Sequence, residues 1–109
     1  MSNYTTLVYR LLRAISQMES AEERDEHMML LSPEVLKTTE EARDQAVMKL
    51  QKAGLIDGVH ILKNVNGMQN PVIIWSATYP SLTHAGMMYL ESDPAMVNER
   101  NKAKGYSIE

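Results

Sequence analysis

Tyr4, Leu7, Val8, Leu11, Leu12, Ile15 and Met18 recur three and four residues apart, with Thr6, Arg10, Arg13 and Gln17 between them. That spacing places the apolar set on one face of an amphipathic helix. Ser20-Ala21-Glu22-Glu23 has the form of a capping box, which opens a short acidic helix or helical loop ending near His27. Ser32-Pro33-Glu34 starts a second short helix, with Ser32 as cap, Pro33 in the first turn and Val35 and Leu36 as its expected buried residues. A third helix is expected to begin at Thr38 or Thr39. Its first turn carries Glu40 and Glu41, its apolar stripe is Ala42, Ala46, Val47, Leu50 and Ala53, and Gly54 stops it in the left-handed conformation.

The pattern then turns to β. Leu55, Ile56, Val59, Ile61 and Leu62 precede, and Val72-Ile73-Ile74-Trp75 follows, a polar stretch containing Asn66-Gly67. Asn-Gly between apolar runs is the sequence of a tight hairpin turn, with Asp57-Gly58 as a rival turn. Trp75 is read as a core anchor in the second strand. Leu82 to Leu90 reads as a helix capped by Thr83, with Leu82, Met87 and Leu90 inward and Gly86 marking a close approach to a neighbour. Asp93-Pro94 opens a last polar helix whose late cations Arg100, Lys102 and Lys104 suit a C-terminus and whose thin apolar face is Met96, Val97 and Ala103.

The order of elements gives an α+β winged helix-turn-helix: a helical core, a two-stranded β-hairpin wing and an additional C-terminal helix. At 109 residues the chain has room for one core, so residues 1–92 are read as the winged-helix domain and 93–109 as a polar helix and tail. Hydrophobic residues at 44% and charged residues at 23% are those of a globular chain and argue against disorder. Three segments carry a family likeness: Leu31-Ser32-Pro33-Glu34-Val35-Leu36; Thr39-Glu40-Glu41 leading to Leu50-Gln51-Lys52-Ala53-Gly54-Leu55-Ile56-Asp57-Gly58-Val59; and Leu82-Thr83-His84-Ala85-Gly86-Met87-Met88-Tyr89-Leu90. Together, over residues 4–91, they resemble the YjcQ-like winged-helix family, small proteins of Gram-positive bacteria and their phages. The resemblance implies a DNA-binding or regulatory role of phage or prophage type, with no reaction attached to it.

In such a protein the third helix enters the major groove. Arg43, Gln45, Lys49 and Lys52 are its candidate readers of bases or phosphates, and Lys63, Asn64, Asn66 and Gln69 those of the wing. The partner would then be double-stranded DNA, bound by a homodimer. Spacing places Glu40, Glu41, Asp44, Gln45, Met48, Gln51 and Lys52 on the exposed face, with Arg43 and Lys49 at its edges.

Charge complicates that reading. The chain carries a net charge of −3, and between Ala21 and Glu41 seven acids face only Arg24 and Lys37. From Glu40 through Asn70 the cations Arg43, Lys49, Lys52 and Lys63 are balanced by Glu40, Glu41, Asp44 and Asp57, which leaves little for counterion release. No basic face is visible in the sequence. The alternative is a winged helix that binds a protein through the acidic 21–41 region or through its Met-bearing helices.

An enzyme is not expected. The chain lacks Cys, which excludes disulfides and thiolate chemistry, and it contains no phosphate-binding Gly loop, nucleophile elbow or dinucleotide fingerprint. His27, His60 and His84 stand in no metal-ligand spacing, so neither metal nor cofactor is expected. Met28-Met29 and Met87-Met88 read as core filler in a chain without Phe. No apolar run approaches the roughly 20 residues of a membrane span, and the N-terminus lacks signal-peptide character; a cytoplasmic protein with no membrane partner is expected.

Overall fold

The structure is a computed structural model describing residues 4–19, 28–63 and 71–103. Helix α1 (Tyr4–Glu19) is the axis of the core. Leu7, Val8, Leu11, Leu12, Ile15 and Met18 are buried as their spacing requires, while Tyr4 at the helix start is half exposed. Tyr9 and Ala14 are buried too, because α1 is covered from several sides: by α2 (Pro33–Leu36), α3 (Glu40–Lys52), α4 (His84–Ser92) and α5 (Pro94–Ala103).

Each later helix starts where a side-chain cap is available. Ser32 Oγ accepts from the Val35 amide at 3.3 Å, Thr39 Oγ1 from Ala42 at 3.1 Å and Thr83 Oγ1 from Gly86 at 3.0 Å. Asp93 Oδ1 accepts from Ala95 at 2.9 Å at the start of α5. Helix α3 ends at Ala53, and Gly54 follows with φ of 81°. Helix α2 stops without glycine, since Lys37 adopts the left-handed conformation at φ 57°. A 3-10 turn, Met28–Leu31, leads into α2 and buries Leu31. Val35 does not join the core as expected: Leu36 is buried, but Val35 is 54% exposed, because one turn of helix can turn only part of its surface inward.

The β region holds two antiparallel ladders. Strands β2 (Ile61–Leu62) and β3 (Val72–Ile73) form the expected wing, with Ile61 opposite Ile73 and Leu62 opposite Val72. An unbulged two-residue turn at Asn66-Gly67 would pair Ile61 with Val72 instead; the turn itself lies outside the described residues, as does the Ser20–Glu23 capping box. The second ladder joins β1 (Ile56–Asp57) to β4 (Ser81–Leu82). Leu82, expected to begin a helix, is therefore a strand residue opposite Ile56. Gly58, at φ 88°, separates β1 from β2, and its carbonyl accepts from the Tyr79 amide at 3.0 Å. Trp75 is not in the wing strand: it opens a 3-10 turn, Trp75–Ala77, and is half buried against the core.

Gly86 fulfils the expectation of a close approach, since a Cβ there would collide with the Leu55 carbonyl oxygen. The same junction is fastened by Thr83, whose hydroxyl donates to the Gly54 carbonyl and whose amide donates to Leu55 at 3.1 Å. Helix α5 packs on α1 and α4, and Met96 is fully buried in the same core as the helices of residues 1–92. The result is α+β and winged-helix-like: a helical body, a β-hairpin wing and a C-terminal helix that packs into the body. Among the described residues no helix is long and apolar enough to cross a membrane.

Candidate functional site

Helix α3 and the wing carry the candidate residues. Arg43, Ala46, Val47 and Leu50 are buried and define the inward side of α3. With about 100° between successive residues, Glu41, Gln45, Met48 and Lys52 form the centre of the outward side. One acid, one amide, one thioether and one cation make that stripe electrically neutral. Lys49 flanks it toward α1, where its Nζ lies 5.5 Å from the Tyr4 ring centroid, and Asp44 flanks it toward Trp75.

Arg43 is not at the edge of the exposed face as spacing alone suggests. It is only 8% exposed and fully engaged: Nη1 donates to the Leu31 carbonyl at 3.1 Å, and Nε to Asp44 Oδ1 at 2.9 Å. Its guanidinium carbon lies 4.5 Å from the Trp75 ring centroid, and the Trp75 indole donates to the same Asp44 oxygen at 3.2 Å. Glu40 adds a looser ion pair at 3.9 Å. A guanidinium taken out of water needs this fork of acceptors and a ring face, and here they fasten the 3-10 turn before α2 to α3 and to Trp75. Arg43 is thus a clamp, removed from the set of residues that could reach a ligand.

Gln51 is likewise turned from the solvent. Its amide nitrogen donates to the Val59 carbonyl at 2.9 Å and its amide oxygen accepts from the Val59 N–H at 2.8 Å. The side chain thereby acts as a short substitute strand that holds the segment after Gly58. Sequence offered no signal for this pairing, because the two residues meet only once the chain has turned at Gly54 and Gly58.

Gln45, Lys49, Lys52 and Lys63 are exposed. Asn64, Asn66 and Gln69 lie outside the described residues. Between α3 and the wing runs a cleft of about 430 Å³, lined by Glu41, Asp44, Gln45, Met48, Pro71 and Val72. It presents two carboxylates and apolar surface, with no cation among the described residues that line it. Beside it, Leu62 and Val72 face each other across the wing ladder and are both more than half exposed. The cations that would have to merge into a basic face are separated: Arg43 is buried, and Arg10, which donates to the Leu36 carbonyl at 3.2 Å, and Arg13 line grooves beside α1.

His60 and His84 are exposed, His27 lies outside the described residues, and among the described residues no group of three His, Asp or Glu is placed to hold a metal ion. Partial burial, reinforced by Asp93 and Tyr4, raises the Tyr89 phenol above its ordinary value. The methionine expectation needs correction. Met18 and Met96 fill the core, but Met29, Met87 and Met88 are exposed, Met29 by 72%, because the 3-10 turn and α4 bury other faces.

No curated protein and no solved structure matches the chain. A family model described as YjcQ protein matches residues 9–105, from the middle of α1 through the whole of α5. The polar C-terminal helix, which lay beyond the segments that carried the likeness in sequence, is therefore included in the match. With nearly its entire length covered, the chain belongs to the YjcQ protein family.

Proposed function

We propose that this chain is a non-catalytic docking module that takes a protein partner on the outer side of α3 and in the cleft beside β3. The observation that carries the reading is the lining of that cleft. Glu41 and Asp44 would repel a phosphate backbone, while Met48, Pro71 and Val72 offer apolar and adaptable surface for side chains. The burial of Arg43 removes the cation best suited by chemistry to read guanine or phosphate. A second reading, in which the same helix and wing bind double-stranded DNA in a regulatory role, draws on the exposure of Gln45, Lys49, Lys52 and Lys63.

Fluorescence anisotropy of a labelled mixed-sequence duplex, titrated with the protein at about 50 and 200 mM salt, separates the two. Docking to a protein predicts no duplex binding even at the lower salt. Micromolar binding that falls steeply with salt and is lost in the double variant Lys49→Glu, Lys52→Glu would overturn it in favour of DNA.

A further inference from the structure

The fold assembles a basic surface that the linear sequence does not display, and it lies away from the cleft beside the wing. Arg10 and Arg13 project from α1, Arg100 and Lys102 from α5, and α5 packs along α1. Three adjoining concavities surround Tyr9, which lines all of them. One of about 310 Å³ is bordered by Arg13, Ser16, Leu90, Glu91 and Arg100. A second, of about 230 Å³, lies between α1 and α2 and brings Arg10 and Arg13 beside Leu30 and Val35. The third, of about 350 Å³, holds Arg10 and Lys102.

The acids nearby, among the described residues, do not cancel these charges. Glu99 is buried and already engaged, accepting from Thr6 Oγ1 at 3.0 Å and from Lys102 Nζ at 3.4 Å. Glu91 is exposed and makes no ion pair with a described residue. Arg13 is exposed, Arg100 is half buried, and neither forms a hydrogen bond or ion pair with a described residue. Two such guanidiniums across one groove, in a chain whose net charge is −3, form a local field of the opposite sign to the whole.

We infer that this groove beside α1 docks an acidic, partly aliphatic segment of a partner protein, its carboxylates reaching Arg13 and Arg100 and its aliphatic side chains covering Val35 and Leu30. Guanidinium forks match carboxylates in geometry as well as charge. The apolar members of the lining distinguish such a segment from a nucleic acid: Val35 is 54% exposed in the second concavity, and Leu90 borders the first. A duplex backbone favours an uninterrupted run of cations, whereas this surface is interrupted by Glu91. The inference stands apart from the α3 cleft, and either can fail alone.

The test is fluorescence anisotropy with a short labelled peptide of alternating Glu and Leu, beside its counterpart with Gln in place of Glu. The acidic peptide is expected to bind, to weaken between about 50 and 200 mM salt, and to lose at least about tenfold in affinity to the Arg13→Glu, Arg100→Glu variant, while the amide peptide does not bind. Because Arg100 is half buried, Arg13→Glu alone, at an exposed position, is measured in parallel and is expected to weaken binding with an unchanged thermal midpoint. Absence of binding at the lower salt, equal binding of the amide peptide, or unchanged binding by Arg13→Glu would each overturn the inference. So would displacement of the peptide by an unlabelled duplex at lower concentration than by unlabelled peptide, which would give the groove to nucleic acid.

Discussion

The guanidinium of Arg43 is held from three directions, by the Leu31 carbonyl, the Asp44 carboxylate and the Trp75 ring. Removing it leaves a buried carbonyl without its donor and a ring without its cation. Arg43→Ala is expected to lower stability by about 3–5 kcal/mol in urea denaturation, the sum of a charged hydrogen bond of about 1.5–3 kcal/mol and a desolvated cation–ring contact of about 2 kcal/mol. Lys52→Ala, at an exposed position with no such partner among the described residues, should stay within about 0.5 kcal/mol of the parent. The contrast matters for function, since two cations of α3 that look alike in sequence belong to different physical categories. One builds the frame; the other is free to meet a partner. The sequence contained a trace of this, because Glu40 and Asp44 sit three before and one after Arg43, but it could not show that Trp75 arrives on the remaining side.

Among the elements, the junction between α3 and α4 decides how the body closes. Gly54 ends α3, Thr83 starts α4, and the Thr83 hydroxyl reaches the Gly54 carbonyl while Gly86 rests against Leu55. In an isolated helix Gly86→Ala would gain about 1 kcal/mol of propensity. Here the added methyl meets backbone, which cannot rotate aside, so the overpacking cost of about 1–3 kcal/mol prevails and a net loss of up to about 2 kcal/mol is expected by thermal or urea unfolding. Short elements were harder to read than long ones. The cap of α2 was legible in Ser32-Pro33, yet the single turn that follows buries Leu36 and leaves Val35 in solvent, a choice fixed by where α1 and α3 lie.

At the scale of the molecule, α5 is the element whose place changes the picture most. Its apolar content is thin, but Met96 is completely buried, and Glu99 is drawn in by Thr6 of α1 and Lys102 of its own helix. Met96→Ala is expected to cost about 2–5 kcal/mol, the range for emptying a buried site of this size, with one cooperative unfolding transition retained. An early transition that removes only helix signal at residues 94–103 would mean that α5 is an appendage. The same packing carries Arg100 and Lys102 to the side of α1 that bears Arg10 and Arg13, so the basic groove and the stability of α5 depend on one interface.

By itself the sequence determined the fold class, the order of the helices and the wing, the helix starts at Ser32 and Thr83, the start of α3 at Thr38 or Thr39, its end at Gly54 and the close approach at Gly86. These features rest on side chains and backbone groups within about four residues of one another, and on a periodicity that α1 repeats over four turns. Only the tertiary structure decided the pairing of β1 with β4, the burial of Arg43, the Gln51 clamp on Val59, the exposure of Met29, Met87 and Met88, and the convergence of cations from α1 and α5. Each depends on which distant segment covers a given side of a helix. For a polar residue on a short amphipathic element, that covering decides whether it becomes part of the frame or part of the surface that meets a partner.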